Sequence, residues 1–201
     1  LSTEYKPMTS QTQPQAPISI EDYLDGEQAT EVKHEYLAGQ IVAMGEASDR
    51  HGLIAGALHA ALLPAARRKA CQLFIADMKV RVDHDGESYF YYPDLLLSCQ
   101  PDDRESAYYR RHPCLLVEVL SPSTERIDSR EKLLAYRLLP SLREYLLLRQ
   151  DRVQADLYQR SDAGRWQHHT FTQPGDLLAL RCLDASVSLR DVYADVPELL
   201  A

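Results

Sequence analysis

Apolar residues recur along the chain with two periods, and each period is typical of one kind of element. Between Asp49 and Lys69 they return every three or four positions, which predicts a helix that Pro64 kinks or interrupts. From Cys71 to Val82 apolar and polar residues alternate, which predicts a strand. The turn signal Asp85-Gly86 then returns the chain as a second strand, from Tyr89 to Ser98.

The second half of the chain is predicted to form further strands and one helix. The apolar run from Cys114 to Leu120 predicts a buried strand, and a helix follows from about Asp128 to Leu139. Glu144 to Arg149 predicts another buried strand, with Val153 to Gln159 as its expected partner. This order of elements predicts an α/β fold, a sandwich with a central mixed β-sheet flanked by helices.

The N-terminal part differs in composition from the rest. Residues 1–17 are polar and rich in Gln, Pro, Ser and Thr, so they are expected to form a disordered tail. Residues 18–201 are expected to form a single domain. At its start Ser19 is a candidate N-cap of a short helix through Leu24, and Glu35 to Met44 predicts a hairpin that turns at Ala38-Gly39.

The composition, with 45% apolar and 26% charged residues in a chain of 201, is ordinary for a globular domain. A net charge of −8 argues against a protein that coats nucleic acid through bulk charge. Charge is unevenly distributed, because residues 104–149 carry nine basic and six acidic side chains. The sequence therefore remains compatible with a local surface that binds nucleic acid.

The four cysteines are widely spaced and form no Cys-x-x-Cys motif, which favours buried free thiols over a zinc site. They are Cys71, Cys99, Cys114 and Cys182. No apolar stretch approaches the roughly 20 residues that span a bilayer, and no signal peptide is visible. These observations predict a soluble cytoplasmic protein with no membrane partner.

Two carboxylates interrupt apolar runs that are predicted to be neighbouring strands. Asp94 follows Pro93, and Glu118 lies within Leu-Val-Glu-Val-Leu, 24 residues later. Burying a carboxylate is costly unless it is paired, protonated or bound to a cation. If both acids face the same side, they form an oxygen site suited to Mg²⁺ or Mn²⁺, to which the Val119 carbonyl could add. Lys132, on the next helix, is the natural group to orient an attacking water or stabilise an anionic transition state.

Each candidate also has a structural interpretation that the sequence leaves open. Asp94 could cap a turn or pair with an arginine, and Lys132 could be an ordinary helix lysine. Glu35 is a possible third site acid or a solvated residue at a strand edge. His51 could bind phosphate or support the site, although an ordinary helix-end histidine is slightly favoured.

Several motifs resemble a known family. Pro93-Asp94 followed by Glu118 resembles the PD-(D/E)XK nuclease superfamily, and residues 116–124, Leu-Val-Glu-Val-Leu-Ser-Pro-Ser-Thr, resemble the Uma-type restriction endonucleases (domain of unknown function 820). Asp128, Lys132 and Tyr136 fit the same resemblance, as do the hairpin at 35–42 with His51 after it and the strand at 143–148. The likeness covers roughly residues 18–195.

This resemblance implies a restriction-endonuclease-like fold and Mg²⁺-dependent hydrolysis of DNA. It places Asp94 and Glu118 as the two metal-binding acids. The superfamily pattern expects a lysine two residues after the glutamate, where this chain has Leu120. In the Uma-type branch a lysine from the following helix is thought to substitute, and Lys132 matches it.

Two neighbouring residues of the 71–82 segment are further candidates. Asp77 interrupts the apolar alternation and could lie near the site, or it could be an ordinary surface acid. Lys79 shares its face and is a second candidate for the displaced lysine.

The leading hypothesis is a metal-dependent endonuclease whose DNA partner is contacted by basic side chains. The candidates are Arg110 and Arg111 in the 104–111 loop, and Arg126 and Arg130 on the following helix. A homodimer is expected from the family likeness, because cutting two strands together requires two active sites. The alternatives are a catalytically inactive nuclease-fold module for binding or assembly, and a metal-free hydrolase using the two acids as general acid and base.

Overall fold

The computed structural model describes residues 16–121 and 131–200. Within these ranges the helices are α1 (Ile20–Ala29), α2 (Asp49–Arg68), α3 (Leu133–Arg137), α4 (Leu189–Val192) and a 3-10 helix at Pro197–Leu199. The strands are β1 (His34–Leu37), β2 (Gln40–Ala43), β3 (Gln72–Ile75), β4 (Lys79–His84), β5 (Glu87–Tyr91), β6 (Leu95–Ser98), β7 (Tyr109–Arg110), β8 (Leu115–Leu120), β9 (Glu144–Arg149), β10 (Ala155–Arg160), β11 (Trp166–Phe171), β12 (Leu177–Leu180) and β13 (Ala185–Ser188). Most of the predicted tail and the start of the helix predicted from Asp128 lie outside the described residues.

In the described part of the chain the strands form three sheets. The central sheet has six strands in the order β11-β10-β9-β8-β6-β3, and a second sheet has five in the order β2-β1-β5-β4-β7. The small third sheet pairs β12 with β13. The central sheet is mixed, because β8 and β9 run parallel while its other neighbours are antiparallel. This architecture confirms the predicted α/β class and the mixed central sheet.

Both faces of the central sheet are buried. On one face α2 packs Ile54 and Leu58 into a cluster that includes Val117 of β8. On the other face Leu116 shares a cluster with Tyr136 of α3 and with Val80 of the five-stranded sheet. The second sheet and α3 thus cover one face and α2 covers the other, which makes the sandwich. No helix in the described ranges is long and apolar enough to cross a bilayer.

The N-terminal elements match their sequence signals. Ser19 caps α1 by accepting a hydrogen bond from the N–H of Asp22, although the helix extends to Ala29 rather than ending near Leu24. The predicted hairpin is β1 and β2, and both residues of its turn have positive φ angles, +50° at Ala38 and +93° at Gly39. Two consecutive positive φ angles match the right-handed twist of a tight hairpin.

The helix α2 does not stop at Pro64, so the expected interruption does not occur. It begins at the N-cap Ser48 and continues to Arg68. Leu62 before the proline and Ala65 and Ala66 after it are all buried in the core beside the central sheet. We attribute the continuity to this packing, which offsets the missing N–H and ring clash of the proline.

The two long strands predicted at 71–82 and 89–98 are each broken in two, so that prediction was wrong. β3 pairs with β6 in the central sheet, whereas β4 pairs with β5 in the five-stranded sheet. The breaks lie opposite each other, and the N–H of Ala76 donates to the Asp94 carbonyl across them at 2.9 Å. Ala76 has a φ of +62°, a left-handed conformation that strand residues do not adopt. The two-stranded ribbon formed by residues 72–98 therefore bends from the central sheet, where β3 pairs with β6, into the five-stranded sheet, where β4 pairs with β5.

The prediction of free thiols was also wrong. Cys71 is disulfide-bonded to Cys99, and Cys114 to Cys182. The first pair follows from strand register, because Gln72 opposite Ser98 brings the preceding and following cysteines together. Disulfides are typical of oxidising compartments, so the cysteines lend no support to the predicted cytoplasmic location.

Candidate active site

The two predicted acids converge where β6 begins and β8 approaches its end. Leu95 lies opposite Val117 in the antiparallel β6–β8 pair. Asp94 immediately precedes β6, so it lies beside the part of β8 that carries Glu118. The N–H of Val119 also donates to Asp94 Oδ2 at 2.6 Å, which holds the aspartate against β8.

Glu118 is 4% exposed and is held by two groups from the segment that contains α3. The Tyr136 hydroxyl donates to its Oε1 at 2.9 Å, and Lys132 Nζ lies 3.4 Å from the same oxygen. Burial, followed by the nearby charge of Glu118, raises the pKa of the Tyr136 phenol well above its usual value. The phenol therefore stays protonated and keeps donating to the carboxylate.

Lys132 joins acids from the two large sheets. Its ammonium lies 2.9 Å from Oε1 of Glu35 on β1 and 3.4 Å from Oε1 of Glu118 on β8. Only 6% of Lys132 is exposed, so these pairs form largely out of water. Glu35 also accepts the N–H of Tyr92 at 3.5 Å. The structure thus places Glu35 beside the two central acids rather than at a solvated strand edge.

His51 reaches the same place from the first turn of α2. Its Nε2 lies 3.1 Å from Asp94 Oδ2, the oxygen that also accepts the Val119 N–H. The backbone N–H of His51 donates to the Ser48 hydroxyl that caps the helix. The cap therefore fixes the start of α2 where the imidazole can orient Asp94.

Asp77 and Lys79 lie apart from this group. The side chain of Asp77 is 83% exposed and pairs with Lys33 at 2.5 Å. Lys79 is buried, with its ammonium 4.9 Å from the centre of the Tyr92 ring. None of the contacts among the described residues joins either of them to Asp94 or Glu118.

The arginines that were predicted to contact phosphate lie in different environments. Arg110 is 6% exposed, donates to the carbonyls of Ser106 and Tyr109, and lies over the Phe74 ring, so its burial argues against a phosphate contact. Arg111 is partly exposed and pairs with Asp83. Arg126 and Arg130 lie outside the described residues.

Lys132 was predicted as a site residue, whereas no chemical role was predicted for Tyr136. A signal for Tyr136 was nevertheless present in the sequence. The signal is the spacing of these two residues, because positions four apart in a helix lie on the same face. Both side chains indeed reach Glu118. The Lys132–Glu35 pair carried no such signal, since it joins segments that are far apart in the sequence.

The site offers carboxylate and carbonyl oxygens as donors for a metal ion. Across residues 16–121 and 131–200, no three or more His, Cys, Asp or Glu side chains are arranged to hold a metal ion. Mg²⁺, however, usually takes one or two carboxylates and completes its shell with waters and substrate phosphate. Asp94, Glu118 and the Val119 carbonyl are hard oxygen donors of that kind, so these residues fit a Mg²⁺ or Mn²⁺ ion.

The chain matches known proteins over most of its length. A family model described as "Uma2: Putative restriction endonuclease" matches residues 20–191. "Uncharacterized protein slr1290" from Synechocystis sp. (strain PCC 6803) is 36% identical over 183 residues, covering 90% of this chain and 95% of that protein. "Uncharacterized protein sll1609" from the same organism is 28% identical over 150 residues, covering 74% and 84%.

A solved structure shares the fold. The crystal structure of "a putative nuclease belonging to DUF820" from Anabaena variabilis ATCC 29413 is similar with a TM-score of 0.71. The match covers 89% of this chain and 98% of that one at 16% sequence identity, so it concerns the fold alone. The family match over residues 20–191 shows that this chain belongs to the Uma2 family.

Proposed function

We propose that this protein is a metal-dependent endonuclease that hydrolyses phosphodiester bonds of DNA. The observation that carries the proposal is the position of Lys132, a buried ammonium within 3.4 Å of Glu118 and 2.9 Å of Glu35. A buried lysine beside strand-borne acids supplies both signs of charge that phosphodiester hydrolysis needs. Membership of the Uma2 family supports the same reaction class.

In this proposal Asp94, Glu118 and the Val119 carbonyl would hold Mg²⁺ or Mn²⁺. When bound, the ion supplies positive charge to the scissile phosphate and lowers the pKa of a coordinated water. The chain's own groups prepare the donors. His51 and the Val119 N–H fix one oxygen of Asp94, and the Tyr136 hydroxyl fixes one oxygen of Glu118.

Lys132 would take the role that the superfamily pattern gives to the lysine after the glutamate. Leu120 at that position is 1% exposed and packs in the core. An ammonium at Lys132 can instead orient the attacking water or stabilise the negative charge that develops on the phosphorus-bound oxygens. The ion pair with Glu35 keeps the Lys132 side chain extended toward the site rather than toward solvent.

DNA would have to approach a protein whose net charge is −8, which requires local positive charge. Two of the four arginines predicted to contact phosphate lie within the described residues. Of these, Arg111 is partly exposed and Arg110 is buried. We also propose a homodimer, on the family likeness, since cutting both strands of a duplex calls for two sites.

The alternative is a nuclease-fold module without catalytic activity. Two observations favour it: the acidic net charge and the core leucine where the superfamily pattern has lysine. Such a module would keep the fold and would have no affinity for divalent ions at millimolar concentration. Calorimetric titration with Mn²⁺ distinguishes the two functions, and chelator-insensitive turnover would instead indicate a metal-free acid–base hydrolase.

The test is nicking of supercoiled plasmid DNA with Mg²⁺ or Mn²⁺, with and without a chelator. Wild-type protein should nick the plasmid only with the ion, and Glu118→Gln should abolish the activity. Glu46→Gln is the matched control, because Glu46 is an exposed acid outside the site. Activity that survives in Glu118→Gln would indicate a contaminating nuclease and remove the basis of the proposal.

A further inference from the structure

A cavity beside Tyr92 lies next to the candidate active site and is not used by the proposed reaction. Its volume is about 480 Å³, within the range of small-molecule and substrate subsites. Residues from the end of α1, from β4 and from the bends of the ribbon line it, among them Glu27, Lys33, Asp77, Lys79, Tyr92 and Tyr108. Four of these six pair with one another, Lys33 with Asp77 and Tyr92 with Glu27, whereas Lys79 forms no such pair.

Lys79 is a buried lysine whose ammonium has no direct ion-pair partner within the described residues. It is 5% exposed, and its ammonium lies 4.9 Å from the ring centre of Tyr92 and 5.9 Å from that of Tyr108. In the described part of the chain no carboxylate comes within ion-pair distance of it and no acceptor bonds to it. Burial is the main cause that lowers the pKa of Lys79; the negative charge of Glu27 opposes this shift, and the positive charge of Lys33 adds to it. A buried ammonium of this kind is costly unless something pairs with it.

Lys33 brings a second ammonium to the same ring. Its Nζ lies 5.7 Å from the Tyr92 centre, bonds to Asp77 Oδ1 at 2.5 Å and donates to the Ala76 carbonyl at 3.0 Å. Asp77 is mostly exposed, and ion pairs of exposed groups contribute little. An anion in the cavity could therefore share Lys33 with Asp77 and at the same time give Lys79 a direct partner.

The remaining acids of the cavity form no direct ion pair with Lys79, although the charge of Glu27 acts on it through space. Glu27 is committed elsewhere, since it accepts the Tyr92 hydroxyl at 2.7 Å and pairs with His34 Nδ1 at 2.9 Å. Glu31 is exposed at the end of α1 and makes no ion pair within the described residues. The position for a direct anionic partner of Lys79 is thus open to a ligand.

The cavity is connected to the candidate active site through Tyr92. The Tyr92 side chain lies in the cavity, while its N–H donates to Glu35, which pairs with Lys132. Asp94 follows two residues later in the chain. A linear substrate bound over Asp94 and Glu118 would therefore extend past Tyr92 toward Lys79.

We propose that this cavity binds a phosphate group through Lys79 and Lys33. Resting on the proposed function, we further infer that this phosphate belongs to the DNA backbone beside the bond that is cut. Lysine ammonium groups are common ligands of phosphate as point charges. The partly exposed Tyr108 ring at the edge of the cavity offers a surface for the adjoining nucleotide.

The test measures binding without cleavage. A fluorescein-labelled DNA duplex is titrated in the presence of a chelator, at several KCl concentrations, with wild-type protein, Lys79→Met and Lys69→Met. Lys69 is the matched control, because it pairs with Asp184 at the far end of α2 and its loss removes the same charge. Lys79→Met should weaken DNA binding about tenfold. It should also reduce the slope of log K against log salt by about one, whereas Lys69→Met should leave both unchanged.

A second arm titrates the same proteins with inorganic phosphate, followed by calorimetry. Binding to the wild type and its loss in Lys79→Met would support the cavity as a phosphate site. If the wild type binds phosphate through Lys79 but does not bind DNA, the cavity stands and the proposed endonuclease fails. If Lys79→Met binds DNA and phosphate as the wild type does, the inference about the cavity is overturned and the endonuclease proposal is untouched.

Misfolding of the variant would not mimic the expected result. Replacing an unpaired buried ammonium with an apolar side chain of similar length is neutral or stabilising. Lys79→Met should therefore melt at the same temperature as the wild type or higher. Lys79→Arg provides the rescue, because it restores the positive charge and should recover most of the DNA affinity.

Discussion

The backbone N–H of Val119 donates a 2.6 Å hydrogen bond to Oδ2 of Asp94. In a strand the N–H and C=O of one residue point to the same edge, so the Val119 carbonyl faces the side on which Asp94 lies. β6 begins only at Leu95, and that edge of β8 is therefore not paired by a strand beyond it. One residue of β8 thus fixes the aspartate and can present a further oxygen beside it.

Asp94→Asn should keep the hydrogen bond to Val119 while removing the negative charge that would bind the metal ion. The amide oxygen of asparagine still accepts the Val119 N–H, so the melting temperature should change by only a few degrees. The negative charge is lost, however, and Mn²⁺ affinity should fall at least about tenfold, with nicking activity reduced by about a hundredfold or more. Calorimetry and plasmid nicking measure the two effects, and unchanged Mn²⁺ binding would contradict the assignment of Asp94.

Lys132→Met should be both inactive and unstable. Removing the ammonium leaves Glu35 and Glu118 facing each other in a buried site, which should lower the free energy of unfolding by about 3 kcal/mol. Urea denaturation measures this loss. The double variant Lys132→Met/Glu35→Gln should recover part of the stability but none of the activity. Recovery of nicking in the double variant would show that Lys132 acts only through charge balance.

Tyr136→Phe tests the hydrogen bond that holds Glu118. Because the carboxylate is buried, losing the donor should lower the free energy of unfolding by about 1 to 3 kcal/mol. The matched control is Tyr158→Phe, whose hydroxyl makes no hydrogen bond within the described residues and should have a smaller effect. Equal losses in the two variants would argue that packing rather than the hydrogen bond matters.

Alkaline pH should destabilise the protein through its buried tyrosines. Burial raises the pKa of Tyr91 and of Tyr193 to about 12, whereas an unfolded tyrosine titrates near 10. The unfolded chain releases these protons first, so the stability they provide is present below about pH 10 and is lost as the pH rises through about 12. Urea denaturation at stepped pH checks this. Tyr91→Phe should reduce the alkaline loss by about 2 kcal/mol, and an identical loss in the variant would contradict the prediction.

Breaking the disulfide that closes the longer loop should lower the free energy of unfolding. Cys114 and Cys182 are 68 residues apart, and constraining a loop of that length stabilises a protein by about 4 kcal/mol in the chain-entropy account. The double variant Cys114→Ser/Cys182→Ser should lose stability in the same range, as measured by urea denaturation without reductant. Wild-type protein that is equally stable with and without dithiothreitol would count against this disulfide.

Local patterns predicted the elements and much of the site. The turn at Ala38-Gly39, the helix from Asp49 and the strand Leu115–Leu120 were readable because their signals lie within a few residues. Asp94 and Glu118 stood out as carboxylates in apolar runs, and the structure places both in the group around Lys132 and His51. Their roles as metal ligands stay predictions.

What the sequence did not predict depends on contacts between distant segments. The alternation from Cys71 to Val82 continues through Ala76, so nothing local marks the bend between sheets. The partners of the four cysteines are set by strand register rather than by spacing. The burial of Arg110 over Phe74 and of Lys79 over Tyr92 likewise arises only when the ribbon folds.

The bend in the ribbon also limits how this chain can vary in length. β6 is paired with β3 on one side and with β8 on the other, so inserting or deleting one residue between Tyr92 and Asp94 would turn its side chains to the opposite faces. Each side chain of Leu95–Ser98, all of which are buried, would then enter the core on the other face of the central sheet. Length differences among homologous chains should therefore gather at the outer turn, Asp85-Gly86, and be missing at the corner that carries Pro93.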